Sequence, residues 1–185
     1  MSDVWAENPV RWVSIDPGLG GTGLAFFDNE RLLVGIPEKN APGIHTVRPD
    51  KSAAGWMEEA VSICDKAEDL FALYSPTKIV IEEPFISLKG KKTLVAANTN
   101  SVVKLSIIAG MLIWTARSVM ESHRATHLFQ VETVLPSKWK GQLPDKALKM
   151  RIEEWARKTK TELPKRLSEH ARDALGLGLS CLKEL

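Results

Sequence analysis

The chain has 185 residues, of which 44% are hydrophobic and 26% charged, and its formal net charge is +2. This composition is typical of a globular protein with room for one buried core, and it excludes a low-complexity chain. We therefore expect a single domain over residues 1–185. No basic region followed by an apolar run marks the N-terminus, and Cys64 and Cys181 are isolated. We expect a reduced, cytoplasmic protein.

The longest nearly uncharged apolar stretch, residues 105–116, lies between Lys104 and Arg117 and has 12 residues. A membrane-spanning helix needs about 20 such residues. The stretch therefore predicts a buried core helix and no membrane partner.

Three short strands are predicted in the first part of the chain, at residues 11–15, 23–28 and 31–36. Their tight connections indicate an antiparallel meander. Residues 38–49 contain several prolines and a glycine, and they are expected to be irregular.

Helices and strands alternate in the rest of the chain. Apolar residues at helical spacing predict a helix over 52–74, and the run at 78–81 is typical of a buried strand. A helix over 94–122 is apolar on nearly every side, so it should be the most buried. A strand at 128–134, a basic amphipathic helix over 145–158 and a last helix from about Ser168 follow. This order predicts an α/β fold whose five-stranded mixed sheet has helices on both faces.

Acidic and imidazole side chains follow the ends of these elements. Asp16 ends the first strand, Glu82 ends the fourth, and His170 and Asp173 share one face at the start of the last helix. If the two strands are neighbours, both carboxylates emerge at the same edge of the sheet. Converging carboxylates need a cation, and hard oxygen ligands suit Mg²⁺ or Mn²⁺. Two such ions can activate water and stabilise the leaving oxygen of a phosphodiester.

Taken singly, each of these residues also has a structural explanation. Asp16 precedes Pro17 and Gly18 and is a good turn residue, and Asp173 favours the positive end of a helix. On the structural explanation, Glu82 and Glu83 are ordinary solvated carboxylates at a strand end, and His170 is one of the histidines that commonly occur at a helix start. The prediction of a site therefore rests on their combination and order.

Three stretches resemble the motifs of RuvC-type resolvases, in the same order. Residues 14–25 (SIDPGLGGTGLA) are similar to the first motif, residues 79–85 (IVIEEPF) to the second, and residues 169–179 (EHARDALGLGL) to the last. The resemblance covers nearly the whole chain. It implies an RNase H-like fold and a homodimer that holds two active sites against a four-way DNA (Holliday) junction. It also implies a DNA-recombination and repair endodeoxyribonuclease whose paired incisions need divalent metal, with about two ions per active site.

The resemblance also implies roles for single residues. Asp16 would bridge the two metal ions, Glu82 would bind one, and His170 and Asp173 would complete the site. Glu83 leaves the choice of glutamate open, although Glu82 continues the strand's alternation. His170 is either a ligand or a base near the attacking water.

Phe85 falls where the family places an aromatic residue that stacks on bases opened at the junction centre. An ordinary place in the core is the alternative for this side chain.

Basic residues predict where DNA would bind. Residues 136–166 contain ten basic and four acidic residues, which suits a polyanionic partner. Lys140 and Lys146 are the candidates for phosphate contacts near the cut. Trp139 either packs the loop down or stacks on a base, and packing is favoured. Two loops, residues 89–92 and 136–146, supply the remaining candidates, which are Lys89, Lys91, Lys92 and Lys138. The second loop resembles the phage-type variant of the family, which implies a bacterial cell or a phage-infected host.

The sequence permits three other interpretations of the function. The stretch from Asp16 to Gly23 also resembles the phosphate loop of sugar kinases and actin-like ATPases. Those proteins need about twice this length, and no second copy of the motif is present, so no nucleotide cofactor is expected. A non-catalytic junction-binding protein is disfavoured by candidates at all four positions. An RNase H-like nuclease acting on other branched DNA or on RNA is the main alternative, since a metal site does not encode substrate shape.

Overall fold

The computed structural model describes residues 10–29, 31–33, 43–84, 92–122, 129–141 and 143–185, and the side chains of its longest helix from Asn100 onward. Its first two strands are β1 (Arg11–Asp16) and β2 (Thr22–Asp28). They pair in antiparallel fashion, with Arg11 opposite Asp28 and Asp16 opposite Gly23. The predicted meander therefore begins as expected.

Two short strands share the next position in the sheet. Strands β3 (Arg31–Leu32) and β4 (Ile44–Val47) both pair antiparallel with β2, at opposite ends of it. The expectation that residues 38–49 are irregular is wrong for β4. Ile44 and Val47 are buried, and the apolar surface that they cover outweighs the turn-forming residues around them.

The second half of the sheet is parallel. Strand β5 (Lys78–Glu82) pairs with β1, and β6 (Gln130–Val134) pairs with β5, both in parallel orientation. The order across the sheet is β3-β2-β1-β5-β6, with β4 paired beside β2. The predicted mixed sheet, antiparallel and then parallel, is confirmed.

Helices cover both faces of this sheet. Helices α1 (Trp56–Tyr74) and α2 (Lys92–Ser122) pack on the face that receives Val13 and Ile15 of β1. The opposite face receives Trp12 and Ser14, and it is covered by α3 (Pro136–Trp139), α4 (Asp145–Thr159) and α5 (Glu169–Cys181). The period-two alternation of β1 thus separates two apolar layers.

Helix α1 begins four residues later than the apolar spacing predicts. Residues 50–53 close a turn first, in which the Ala53 amide donates to the Asp50 carbonyl at 3.2 Å. The Glu58 carboxylate then accepts from the Ala54 amide at 2.6 Å. These bonds satisfy the backbone ahead of Trp56, so the helix starts only there.

The expectation that α2 is the most buried helix is wrong. Ile108 and Leu112 are fully buried, but Val103, Ile107 and Trp114 are exposed by 52%, 37% and 66%. The segment Asn100–Ser122 is also long and apolar enough to cross a membrane by length and composition alone, a weak criterion that core helices also meet. One apolar face of α2 is therefore left exposed by the part of the chain that the structure describes.

Candidate active site

Two carboxylates meet at one edge of the sheet. Asp16 is the last residue of β1 and Glu82 is the last residue of β5, and these strands are parallel neighbours with Ile15 opposite Ile81. Because parallel strands end at the same edge, the two acids come out side by side. They line one cavity of about 190 Å³ together with Glu83. The two strands are neighbours, as the expected convergence of the two carboxylates requires.

The start of α5 brings two more of the predicted residues to the same edge. The Ser168 hydroxyl caps the helix by accepting from the Ala171 amide at 3.0 Å. Gly23 permits this placement, since a Cβ at that position would lie 1.9 Å from the carbonyl oxygen of His170. The glycine of the first motif is therefore needed for the close approach of α5 to β2.

His170 is bonded directly to Asp16. Its Nδ1 lies 2.7 Å from Oδ2 of Asp16, whose side chain is only 13% exposed. The hydrogen bond to Asp16 raises the pKa of His170, because it favours the protonated imidazole. In this arrangement the imidazole balances the charge of the most central carboxylate.

Lys140 is bonded to Asp173 in a similar way. Its Nζ donates to Oδ2 of Asp173 at 2.8 Å and also lies 2.9 Å from Oδ1 of Asp145. Burial lowers the pKa of Lys140, but its hydrogen bonds to the two aspartates raise the pKa more. Burial also raises the pKa of the Asp173 carboxyl, against the effect of Lys140. Lys140 therefore supplies the positive charge that Asp173 needs in this structure.

Glu82 has the most perturbed carboxyl group of the site. Burial, followed by the negative charge of Asp16, raises its pKa to about 7. The indole Nε1 of Trp139 donates to its Oε2 at 2.8 Å and opposes this rise. Strongly perturbed acids in a cleft are typical of functional sites.

The neighbouring glutamate has a different environment. Glu83 is exposed, and its backbone amide donates to the Val134 carbonyl at 2.9 Å, which continues the β5–β6 pairing. Glu82, in contrast, is hydrogen-bonded to Trp139 and lies in the field of Asp16. The surroundings favour Glu82 as the functional glutamate.

The side chains present fit a divalent cation. Asp16, Glu82 and Asp173 supply hard oxygen donors. Besides burial, the negative charge of Asp16 raises the pKa of both Glu82 and Asp173, and the charge of Asp173 also raises the pKa of Glu82. Oδ1 of Asp173 is buried without a hydrogen-bond partner. Within the described part of the chain, no three such side chains already stand at the spacing of a closed metal cage. A cation would therefore have to replace Lys140 or His170 as the neutralising group.

The predicted DNA-binding residues fall into three groups. Phe85, Lys89 and Lys91 lie outside the described residues, and Lys92 is described only as the backbone at the start of α2. Lys138 and Lys146 are exposed beside the site. Trp139 is buried, with 9% of its surface exposed, and packs with the apolar layer under α4 and α5.

Two features of the site were not predicted from the sequence. The first is Asp145, which binds Lys140 although the sequence shows it only as one acid in a basic helix. The second feature is a groove of about 410 Å³ between α4 and the segment before α5, where Lys149, Lys165, Arg166 and Arg172 lie. Nε of Arg172 is buried there without a partner. Arg172 follows His170 by two residues, which is the only sequence signal that could have placed it near the site.

The sheet order, the flanking helices and the acids at the strand ends define an RNase H-like fold. Among solved structures, the chain is similar to T. thermophilus RuvC in complex with a Holliday junction substrate, at a TM-score of 0.61 and 16% identity over 94% of each chain. A second Thermus thermophilus RuvC structure matches at 0.55 and 15% over 92% of each chain. The yeast mitochondrial Holliday junction resolvase Ydc2 matches at 0.50 and 12%, over 95% of this chain and 81% of the other.

No protein-family model and no curated protein sequence matches this chain. The similarity to RuvC therefore establishes the fold, which confirms the expected resemblance at the level of three-dimensional structure.

Proposed function

We propose that this chain is a divalent-metal-dependent endonuclease that resolves four-way DNA junctions by paired incisions. The observation that carries the proposal is the convergence of Asp16, Glu82, His170 and Asp173 at one edge of an RNase H-like sheet. The solved structures of similar fold include one bound to a Holliday junction, which supports this choice of substrate.

The reaction is the hydrolysis of a phosphodiester. The oxygen of a water molecule bonds to phosphorus, and the bond to one ester oxygen breaks as that oxygen leaves with a proton. Asp16, Glu82 and Asp173, with His170, would hold the divalent ions, which when bound would supply Lewis-acid stabilisation of the charge that develops on the phosphate.

The residues of the chain itself contribute charge and proton transfer. His170 shares a hydrogen bond with Asp16 through Nδ1, and its imidazole is either a further ligand or the base that takes a proton from the attacking water. Lys140, once released from Asp173, is a cation within reach of the phosphate, where it stabilises negative charge on a departing oxygen.

The charge around the site suits a DNA backbone. Lys138 and Lys146 are exposed and lie near Lys140 in the sequence, and the groove beside α4 is lined by four further basic residues. Cations placed along one surface bind phosphates without reading sequence. We infer that DNA crosses the sheet edge and continues along this groove.

A homodimer is part of the proposal. Val103, Ile107, Gly110 and Trp114 recur on α2 at spacings of four, three and four residues, so they form one stripe. A Cβ at Gly110 would meet no atom within 4 Å, so the stripe is open along its length. A second copy of the chain covers such a face by applying its own stripe to it, which gives two active sites to one assembly.

A cleavage assay tests the function. A labelled four-way junction, a linear duplex and an RNA–DNA hybrid are incubated with the protein and either Mg²⁺ or EDTA. Symmetric nicks on the junction alone, absent with EDTA and with Asp16→Asn, are the expected result. Glu83→Gln is the matched control and should keep cutting.

The other outcomes identify the alternatives. Cutting of the hybrid or of other branched DNA in preference to the junction would indicate a different RNase H-like nuclease. Junction binding without metal-dependent cutting would indicate a binding protein, and ATP hydrolysis without nuclease activity would overturn both.

A further inference from the structure

Trp139 makes a contact that neither general core packing nor the proposed reaction requires. Its indole is buried, and Nε1 donates to Oε2 of Glu82 at 2.8 Å. We propose that Trp139 is the positioning residue of Glu82, which it holds in advance in the orientation that binds the metal ion. This inference rests on the proposed function of the site.

The position of the indole is determined from the opposite side by α5. A Cβ at Gly176 would lie 2.9 Å from Cζ3 of the Trp139 ring, so the ring occupies the space that the missing side chain leaves. Pro136 stands at the start of α3 and favours the helical turn that ends at Trp139. The indole is therefore held by α3 and α5 together, and its N–H has little freedom to point elsewhere.

The same turn of chain holds the other buried acid. Lys140 is the next residue, and its Nζ donates to Oδ2 of Asp173 at 2.8 Å. Trp139 and Lys140 thus bind the two carboxylates whose pKa values burial raises. The two contacts differ in kind. The ammonium of Lys140 supplies a charge that a metal ion can replace, whereas the neutral indole of Trp139 only orients the carboxylate of Glu82.

This difference assigns separate consequences to the two residues. With Oε2 engaged by the indole, the glutamate keeps one rotamer and presents its other oxygen to a ligand. A donor that fixes a ligating carboxylate in this way typically changes metal affinity by roughly 10–100-fold when it is removed. The indole N–H is compatible with a metal-bound carboxylate, so the contact persists when the ion binds.

Trp139→Phe tests the assignment, because phenylalanine keeps an aromatic ring in the pocket and removes the N–H. The probe is Mn²⁺ alone, whose dissociation constant is measured by electron paramagnetic resonance or calorimetry without DNA. We expect the dissociation constant to rise by roughly 10-fold or more. With junction DNA, half-saturation by Mg²⁺ should rise by a similar factor while the KM for DNA stays unchanged.

Trp12→Phe is the matched control. The Trp12 indole is also buried and donates to a carbonyl, that of Asn29, at 2.6 Å, but it lies four residues before Asp16 on β1. Both variants lose a buried indole hydrogen bond, so both should unfold at a lower temperature. Only Trp139→Phe should bind Mn²⁺ more weakly.

A double mutant tests whether Trp139 affects metal binding through Glu82. In a Glu82→Gln background, Trp139→Phe should have no further effect on the Mn²⁺ dissociation constant. Equal loss of affinity in both backgrounds, or an unchanged dissociation constant in a folded Trp139→Phe variant, would overturn the assignment and leave the proposed function standing. Failure of the unmodified protein to bind Mn²⁺ would instead overturn the proposed function.

Discussion

The raised pKa values of Glu82 and Asp173 show that the carboxyl groups of the candidate site are held at a cost to the stability of the fold. Glu82 has its pKa raised to about 7 by burial and by Asp16, although an unfolded glutamate titrates near 4.3. Between these two pH values the folded chain binds a proton that the unfolded chain does not. The free energy of unfolding of the metal-free protein therefore falls as pH rises through this window.

Glu82→Gln should remove that cost together with the activity. At pH 8, in EDTA, the variant should gain about 2 kcal/mol of unfolding free energy over the unmodified protein, and the gain should vanish only below about pH 4, where the unfolded glutamate is protonated too. Thermal unfolding followed by circular dichroism at the two pH values checks this. Glu83→Gln, at an exposed position, should show no gain. Equal stability of Glu82→Gln and the unmodified protein at pH 8 would contradict the raised pKa.

Lys140 is expected to act as the internal substitute for a metal ion. Lys140→Met leaves the Asp173 carboxylate, which is 14% exposed, without its cation, so the metal-free protein should lose about 2 kcal/mol at pH 8. Mn²⁺ should restore more stability to this variant than to the unmodified protein, because no ammonium competes with it. Chemical denaturation with and without Mn²⁺ measures both effects.

Lys158→Met is the comparison for that change. Both side chains of its ion pair with Glu154 are exposed, at 71% and 50%, so the loss of this pair should leave the stability of the fold almost unchanged. A Lys140→Met variant as stable as Lys158→Met in EDTA would show that the Lys140–Asp173 bond does not stabilise the fold.

At the scale of elements, the site depends on the contact between α5 and β2. Gly23→Ala would place a Cβ 1.9 Å from the His170 carbonyl oxygen, which is backbone and cannot turn away. The helix start must shift, so we expect a loss of about 3 kcal/mol and a loss of cutting beyond that expected from instability. Unfolding curves and activity well below the melting temperature check the two parts.

Gly20→Ala serves as the control, since a Cβ there meets no atom within 4 Å. Gly20 lies in the turn just before β2, so its substitution should change neither stability nor cutting by much. If Gly23→Ala behaved like Gly20→Ala, the close approach of α5 to β2 would be unnecessary for the site.

Several elements could be predicted from sequence because their signals are local. The parallel strand β5 was predicted from a short apolar run, and the start of α5 from Ser168 and the helical spacing after it. Strand β4 was missed, because four residues between prolines carry no local pattern and are ordered by pairing with β2. Helix α1 was predicted to start too early, because the turn at residues 50–53 is decided by hydrogen bonds rather than by apolar spacing.

At the scale of the whole molecule, the proposed dimer depends on the exposed apolar stripe of α2. Trp114→Lys should convert a dimer into a monomer, since it places a charge at the most exposed apolar position of the stripe. Light scattering coupled to size exclusion gives the mass directly. Cutting should change from paired to single nicks, because one chain carries one site.

Met150→Lys provides the matched control on α4, where Met150 is 60% exposed outside the stripe. It should leave the mass of the assembly unchanged. A monomeric unmodified protein would contradict the dimer, and so would a protein found only in membranes, which would assign the stripe to lipid.

The sequence proposes the four candidate residues of the site, whereas it does not indicate their hydrogen-bond partners. Asp16, Glu82, His170 and Asp173 each follow a strand end or a helix start, and those boundaries are encoded by neighbouring residues. The bonds of His170 to Asp16, of Trp139 to Glu82 and of Lys140 to Asp173 join residues 33 to 154 positions apart.

The sequence by itself therefore determined the types of most elements, the parallel and antiparallel halves of the sheet and the candidate acids, but neither β4 nor α3. Only the tertiary structure decided which glutamate is buried, which cation neutralises which carboxylate and which face of α2 is left uncovered. The physical reason is that burial and electrostatic environment depend on the neighbours that folding brings from distant parts of the chain, and those neighbours are not encoded in any local pattern.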